Sequence, residues 1–323
     1  MKEETKVKSV SDYLNLVQQT IKNADKDGSS QIFWFRGEGS IKWETPVVPS
    51  IYRVLASTFK SVTDDLFNSK NLKKVEEVIS SDFFRQSLPY IIAKGIENTG
   101  WNRYFLMQHY KMKTRLLDWT ENALLALFFA VEDTSAGQDD AIVWILQPFI
   151  LNSFTINTIL GSQKSFMLIP HGVDSVRPAS LVDSEGKISI DELITRYLKM
   201  DFDHDVSEPQ TNIYYPLAIY PMYLDQRMTA QKTCFTIFGN KINGLISNEK
   251  KDEFLYPIKI DGKMKNQILT ELSLVGFDHS SIYPDLDGLG ISLNLKYKRA
   301  LNDNRETLIH IVKNSLNKNK SSR

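Results

Sequence analysis

The nine-residue run ALLALFFAV, Ala123 to Val131, is the longest strongly apolar stretch of this chain. Nine residues are far too few to cross a bilayer as a helix, which takes roughly 20 apolar residues. The run therefore predicts a helix buried inside the protein, from about Glu121 to Asp133, with Asp118 and Glu121 at the spacing of a capping box. The following run DDAIVWILQP is typical of a strand, so we expect a core that combines helix and strand.

The rest of the chain mixes helical periodicity with short strand patterns. Helices are predicted in SDYLNLVQQTIKN with Ser11 as N-cap, in residues 54–100, and in DELITRYLKM, GKMKNQILTELSLVGF and YPDLDGLGISLNLKYKRAL; strands are predicted in QIFWF, SFMLIPHG, YYPLAIYPMYL, KTCFTIFG and DEFLYPIKI. Gly276 is expected to end one helix, and Asp285 and Asp287 to cap another in preference to binding a cation.

No segment is rich enough in Pro, Gly or Ser to act as a linker, so we predict a single α+β domain. Its β core should be mixed and largely antiparallel, with several helices and helical insertions. The predicted ranges are an N-terminal helix at 1–27, the main domain at 28–300 with insertions at about 54–100 and 150–210, and a C-terminal helix and basic tail at 301–323.

Composition restricts the classes of partner. Lys and Arg number 39, Asp and Glu also 39, so the net charge is zero. This balance weighs against a protein that holds nucleic acid by bulk charge, but it leaves room for a local basic groove. The single cysteine, Cys234, provides neither an internal disulfide nor a zinc cluster. Because the N-terminus has no apolar run, we expect a cytoplasmic protein without a membrane partner.

The motif FWFRGEGS places Arg36 at the end of a predicted buried strand. An arginine fork binds a carboxylate or a phosphate in a bidentate way. Gly37 and Gly39 allow another backbone or a ligand to approach closely. Two interpretations stay open: Arg36 binds the anion of a ligand, or it forms a buried pair with a core carboxylate such as Asp118.

A second motif, QHYKMKTRLLDWT, concentrates polar residues against apolar sequence. These are Gln108, His109, Tyr110, Thr114, Arg115, Asp118 and Thr120. The start of the following helix, near Thr120, offers free N–H groups to an anion. Arg115 and Asp118 are equally consistent with a structural ion pair at that helix start.

The third motif is DQRMTAQKTCF. Arg227 and Gln231 are four residues apart, so one helical turn places them on the same face. Gln231 then stands at the mouth of the strand that follows. The alternative is a turn held together by polar side chains.

Together these stretches resemble the FRG domain family over about residues 30–295. FWFRGEGS is followed by Trp43, Pro49, Ser50 and Arg53, as in the opening of that family. The block QHYKMKTRLLDWTENALLALFFAVED is similar to the family's QHYGLPTRLLDWT block, with Lys111 and Lys113 in place of the usual Gly and Pro. RMTAQKTCF and IYPDLDGLG are similar to its later segments.

The family is found in bacteria and phages, sometimes in defence or toxin-like settings, and its motif order resembles that of ADP-ribosyltransferases. The resemblance implies an ADP-ribosyltransferase-like fold and an enzyme that uses NAD to modify a macromolecule, protein or nucleic acid, or that hydrolyses NAD. It implies a toxin or antiphage effector, with an antitoxin or phage-derived partner. A glutamine at Gln231 cannot supply the negative charge of a catalytic glutamate, so Asp118 or Glu38 would have to supply it.

The residues that this resemblance implies fall into two groups. The expected catalytic residues are Arg36, His109, Tyr110, Asp118 and Gln231, and the expected cofactor-binding residues are Arg36, Gly37, Thr114, Arg115, Trp119 and Arg227, with no metal. Phe35, Tyr110 or Trp119 would stack on the nicotinamide. Two alternatives stay open: a non-catalytic module that binds a nucleotide, nucleic acid or protein in the same cleft, and a buried polar network that only specifies the fold.

Overall fold

The computed structural model describes residues 6–25, 32–42, 46–53, 65–132, 137–161, 166–172, 189–199, 215–239 and 241–303, together with 305 and 309. These residues form one α+β domain, as predicted. Trp43, residues 54–64, most of the stretch 173–214 and most of the predicted tail lie outside the described residues.

Helices and a single sheet alternate along the described chain. The helices are α1 (Val10–Ala24), α2 (Asp65–Ala93), α3 (Gly100–His109), α4 (Ala123–Glu132), α5 (Pro148–Leu160), α6 (Ile190–Lys199), α7 (Gln226–Ala230), α8 (Lys265–Leu274), α9 (His279–Ile282) and α10 (Leu286–Asp303). The strands are β1 (Trp34–Glu38), β2 (Leu116–Thr120), β3 (Ala141–Leu146), β4 (Leu217–Ile219), β5 (Thr233–Ile237) and β6 (Leu255–Ile260). Short 3₁₀ turns occupy Lys251–Glu253 and Gly262–Met264.

The six strands are ordered β4-β5-β2-β1-β3-β6, and each neighbouring pair is antiparallel. β1 pairs with β3 along its whole length, and β2 does the same with β5. β1 and β2, by contrast, pair only between Phe35 and Thr120. The half formed by β4, β5 and β2 is therefore joined to the half formed by β1, β3 and β6 at one residue pair, and the sheet is open on one side of that pair.

The apolar run that opened the sequence is the buried helix α4, which packs on β1 and α8. The close approach of α4 depends on Gly37, because a Cβ there would lie 2.0 Å from the carbonyl oxygen of Ala126 and 2.5 Å from the nitrogen of Ala130. The other sheet face carries Trp34, Leu117 and other apolar residues in a second cluster. The partner that approaches Gly37 closely is thus the backbone of α4.

Several predicted boundaries are wrong, each for a local reason. Ser9, not Ser11, caps α1, since its Oγ accepts from the nitrogen of Asp12 at 3.1 Å. Asp118 does not cap a helix, because β2 is extended and fully paired with β5 there. Asn122 caps α4 instead, and its Oδ1 accepts from the nitrogen of Leu124 at 3.0 Å.

Other elements differ in extent. The strand expected to end at Arg36 continues to Glu38. SFMLIPHG contributes a bridge between His171 and Tyr220 in place of a strand, and only three residues of YYPLAIYPMYL are paired as β4. α2 runs through Pro89. Capping by Asp285 is confirmed, since its Oδ1 accepts from the nitrogen of Gly288 at 2.7 Å.

Candidate functional site

An open pocket of about 380 Å³ lies where β1 and β2 separate. Its walls come from β1, β2, the loop that follows α3, and α7 with the residue after it. The polar lining residues are Arg36, Ser50, Arg53, Gln108, His109, Lys111, Lys113, Asp118, Thr120, Arg227, Gln231 and Thr233, and apolar ones include Phe35, Met112, Phe129, Met228 and Phe235. The three separate sequence motifs therefore meet in space.

Arg36 spans the gap between the two halves of the sheet. Its Nε donates to Glu38 Oε1 at 3.0 Å, and its Nη1 donates to the main-chain oxygen of Asp118 at 3.0 Å. Arg36 thus pairs with a buried carboxylate, one of the two interpretations of the motif, but that carboxylate is Glu38 and not Asp118. Residues two apart on a strand share a face, which is why Glu38 reaches Arg36 first.

Glu38 is buried, with 2% of its surface exposed. Besides Arg36 it accepts hydrogen bonds from the main-chain nitrogen of Val47 at 3.1 Å and from Trp144 Nε1 at 3.0 Å. A buried carboxylate with this many donors is satisfied. Glu38 therefore orients Arg36 from the buried side of the pocket and is not itself a lining residue.

Arg53 is a pocket residue that functional reasoning from the sequence missed. Its Nε is buried and has no hydrogen-bond partner in the part of the chain that the structure describes. Burial lowers the pKa of Arg53, and the neighbouring charge of Arg36 lowers it further. Two adjacent guanidinium groups, one with an unused buried donor, form a site for an anion. The signal in the sequence was the position of Arg53 in the opening family motif.

Asp118 faces the pocket with an exposed side chain. Its Oδ2 accepts from Gln108 Nε2 at 2.6 Å, and Gln108 in turn accepts from the hydroxyl of Thr114. Thr114 itself is fully buried and does not line the pocket. Thr114 and Gln108 together fix the orientation of the Asp118 carboxylate.

His109 lines the pocket at the end of α3, and its Nε2 lies 2.7 Å from Asp225 Oδ2. Since a carboxylate only accepts, Nε2 carries the proton and Nδ1 holds the lone pair of the neutral ring. Burial lowers the pKa of His109, and the charge of Asp225 offsets only part of this effect. At neutral pH the imidazole is uncharged and able to accept a proton.

Arg227 and Gln231 both line the pocket from α7 and the residue after it, as their spacing predicted. The guanidinium of Arg227 lies 4.5 Å from the ring centroid of Tyr283. Gln231 Nε2 donates to the main-chain oxygen of Ile282 at 3.3 Å. This bond directs the amide and leaves the side-chain oxygen as an acceptor.

Three other expected site residues have different surroundings. Tyr110 lies outside this pocket and accepts from Lys94 Nζ at 2.7 Å. Trp119 lines the pocket but is only 3% exposed, and its Nε1 donates to Thr236 at 3.1 Å. Trp119 thus belongs to the core, and Phe129, which sequence reasoning missed, lies on the pocket wall instead.

Arg115 is the third of these residues, and it is fully buried away from the pocket. Its Nε lies 2.8 Å from Glu76 Oε2, and its other nitrogens donate to main-chain oxygens of Phe238 and Tyr197. Burial acts to lower the pKa of Arg115, but Glu76 more than offsets this, so the pKa is raised. The guanidinium joins α2, β2, α6 and the end of β5.

The charges at the pocket determine which ligands it suits. Its lining contains five Lys and Arg side chains and, among the described residues, a single carboxylate. No described group of three His, Cys, Asp or Glu residues could hold a metal ion. The arrangement suits an organic anion.

A separate observation is that no described helix has the length and apolar character needed to span a membrane.

Comparisons with known proteins give one match. Residues 31–139 match the family model of the FRG domain. The match includes Arg36, Arg53, His109 and Asp118, and it ends before Arg227 and Gln231. Neither a search of curated proteins nor one of solved structures found a match. The family resemblance of the motifs is therefore confirmed over residues 31–139, where this chain carries an FRG domain.

Proposed function

We propose that the pocket binds NAD and that the protein is an ADP-ribosyltransferase-like enzyme, which modifies a macromolecule or hydrolyses NAD. The observation that carries the proposal is Arg53, which lies beside the guanidinium of Arg36 and whose buried Nε has no hydrogen-bond partner among the described residues. Burying an unsatisfied charged donor costs free energy unless a ligand satisfies it. A pyrophosphate carries two negative charges and several acceptor oxygens, which two arginines match.

Other lining residues would hold the remaining parts of the dinucleotide. The side-chain oxygen of Gln231 suits a ribose hydroxyl, because Ile282 holds the amide nitrogen. Phe129, which is partly exposed, gives an apolar wall for the nicotinamide ring, whereas Phe35 is only 5% exposed and belongs to the core. The pocket volume lies within the usual range for ligand sites, ~300–1,000 Å³, and its open mouth leaves space for a longer ligand.

The chemistry supplied by NAD is heterolysis of the bond between the ribose carbon and nicotinamide, whose nitrogen keeps the electron pair while an acceptor oxygen or nitrogen bonds to the carbon. Asp118 supports this by placing a negative charge in the pocket, where positive charge develops. His109 supports it by taking the proton that the acceptor loses, at Nδ1. Glu38 is withheld from this role by its bond to Arg36.

A toxin or antiphage role, with an antitoxin or phage-derived partner, is the expectation that accompanies membership of this family. It is testable through growth: expression of the wild-type chain should arrest cells, and an Arg53→Ala chain should not. The competing function is a non-catalytic module that binds nucleotide through the same two arginines. The glutamine at Gln231, which carries no charge, favours that competitor.

The decisive experiment measures binding and turnover separately. We expect calorimetry to show NAD and ADP-ribose binding to the full chain, with affinity weakened at least about tenfold in Arg53→Ala and kept in Lys22→Ala, an exposed control on α1. Chromatography should show nicotinamide release that Asp118→Asn abolishes while ADP-ribose still binds. Binding without release would support the non-catalytic module, and failure to bind either compound would end the NAD proposal.

A further inference from the structure

Lys111 has a backbone conformation that lysine rarely adopts. Its φ is +61°, in the left-handed region that favours glycine. A non-glycine residue there is strained, because its Cβ lies too close to the main chain. Lys111 and Lys113 are exposed, line the pocket, and have no ion-pair partner among the described residues. The strained loop therefore presents two cations at the pocket that no described carboxylate neutralises.

These lysines exceed what a pyrophosphate needs. Arg36 and Arg53 already match its two charges, and Arg227 adds a third guanidinium to the lining. Asp118 is the one carboxylate of the described lining. Because the whole chain has no net charge, the excess of cations is a local feature of this pocket. It indicates a ligand with additional anionic groups beyond the pyrophosphate.

A second cavity of about 620 Å³ lies between α2 and α3, next to the first. The two cavities share Met112 as a lining residue. The second one is mostly apolar and contains three aromatic rings, of Phe83, Tyr90 and Tyr110. Tyr90 is 72% exposed and Tyr110 51% exposed. Lys94 adds a cation, with Nζ 5.4 Å from the ring centroid of Tyr110.

We propose that single-stranded nucleic acid binds across both cavities and is the macromolecular acceptor of the proposed transfer. Its phosphates lie on Lys111 and Lys113, and its bases stack on Tyr90 and Tyr110. A basic track beside exposed aromatic rings is how proteins hold single strands, since each base offers an apolar face and each phosphate a charge. Asp82, the one carboxylate in the described lining of the second cavity, is exposed and paired with Arg85 at 3.3 Å.

The role of acceptor rests on the proposed function, but binding of the strand does not, so the two fail separately. Fluorescence anisotropy with fluorescein-labelled single-stranded DNA and RNA of about 12 nucleotides, between about 50 and 200 mM salt, tests binding without NAD. The variants are Lys111→Gly with Lys113→Ala, and Tyr90→Ala. Lys22→Ala is the matched control, because Lys22 is exposed and lines neither cavity.

We expect binding that weakens with salt and a double-lysine variant whose slope of log affinity against log salt is smaller by about 1.4, at roughly 0.7 for each phosphate that a lysine no longer neutralises. Tyr90→Ala should weaken binding at least about fivefold with the slope unchanged. Lys111→Gly alone should raise the melting temperature while it weakens binding, because glycine relieves the left-handed strain.

Two results would overturn this inference. One is that neither the DNA probe nor the RNA probe binds at low salt, even if NAD binds. The other is binding of polyglutamate with the same affinity and the same dependence on Lys111 and Lys113, which would assign the surface to an acidic protein. Strand binding in a chain that binds no NAD would instead support the binding of single-stranded nucleic acid while refuting both the proposed function and the role of acceptor.

Discussion

Arg36 and Glu38 lie two residues apart on β1, and their side chains pair at 3.0 Å on one face of the sheet. The pair satisfies Nε of Arg36, and the main-chain oxygen of Asp118 accepts from Nη1. The arginine is thus held by one neighbour on its own strand and one across the opened sheet. Its remaining nitrogen, Nη2, has no hydrogen-bond partner among the described residues and can donate to a ligand.

Glu38→Gln tests whether the negative charge of Glu38 is what orients Arg36. The glutamine keeps one acceptor but loses the charge that holds Arg36, so we expect NAD or ADP-ribose affinity to fall about tenfold and the free energy of unfolding to fall by about 2 kcal/mol. Calorimetry and urea unfolding measure the two effects. Unchanged affinity would show that Arg36 is oriented without Glu38.

Arg53→Ala should weaken ligand binding without weakening the fold. The removal of charged hydrogen bonds of about 1.5–3 kcal/mol corresponds to about 10- to 150-fold in affinity. The free energy of unfolding should stay constant or rise, because a buried donor without a partner is removed beside a like charge. A large drop in thermal stability would assign Arg53 to the fold.

Arg115→Met should weaken the fold without weakening ligand binding. Removing the buried guanidinium leaves Glu76 uncompensated in the core, which costs about 3–5 kcal/mol. The double variant with Glu76→Met should recover part of this stability, since neither charge then lacks a partner. Urea unfolding of the single and double variants gives the comparison. Loss of NAD affinity in a stable Arg115→Met chain would contradict a purely structural role.

The pH dependence of turnover should report His109. A base must be unprotonated, so kcat/KM should rise as pH increases through the pKa of His109 and then level off. Burial places that pKa below the ordinary value of 6.5. Asp225→Asn keeps an oxygen for capping α7 but removes the charge that raises this pKa, so the midpoint should move to lower pH. An unchanged midpoint in Asp225→Asn would show that another group is the base.

Gly37→Ala should destabilise the domain by about 3 kcal/mol or more, because the added Cβ meets main-chain atoms of α4 that cannot move aside. Gly290→Ala is the matched control: its Cβ would meet nothing within 4 Å, and alanine favours a helix. Thermal unfolding of both variants measures the difference. If Gly37→Ala weakened ligand binding at full stability, Gly37 would touch the ligand.

Much of the fold follows from local patterns in the sequence. The alternation and apolar runs of KTCFTIFG, DEFLYPIKI and ALLALFFAV predicted β5, β6 and α4, since each segment buries its own apolar side chains. Capping was less predictable, because Ser9 and Ser11, or Asp118 and Asn122, are chemically similar candidates. Only the backbone geometry selects one of each pair.

The sequence by itself determined the α+β class, the FRG family over residues 31–139, and the polar motifs from which the pocket is built. Tertiary structure alone decided which arginine is buried and which lines a pocket. Arg115 and Arg36 are both arginines beside apolar sequence, yet one pairs with Glu76 inside the core and the other with Glu38 at a cleft. The Arg36–Glu38 pair is local to one strand, whereas Glu76 lies 39 residues before Arg115, so only tertiary packing brings that second pair together.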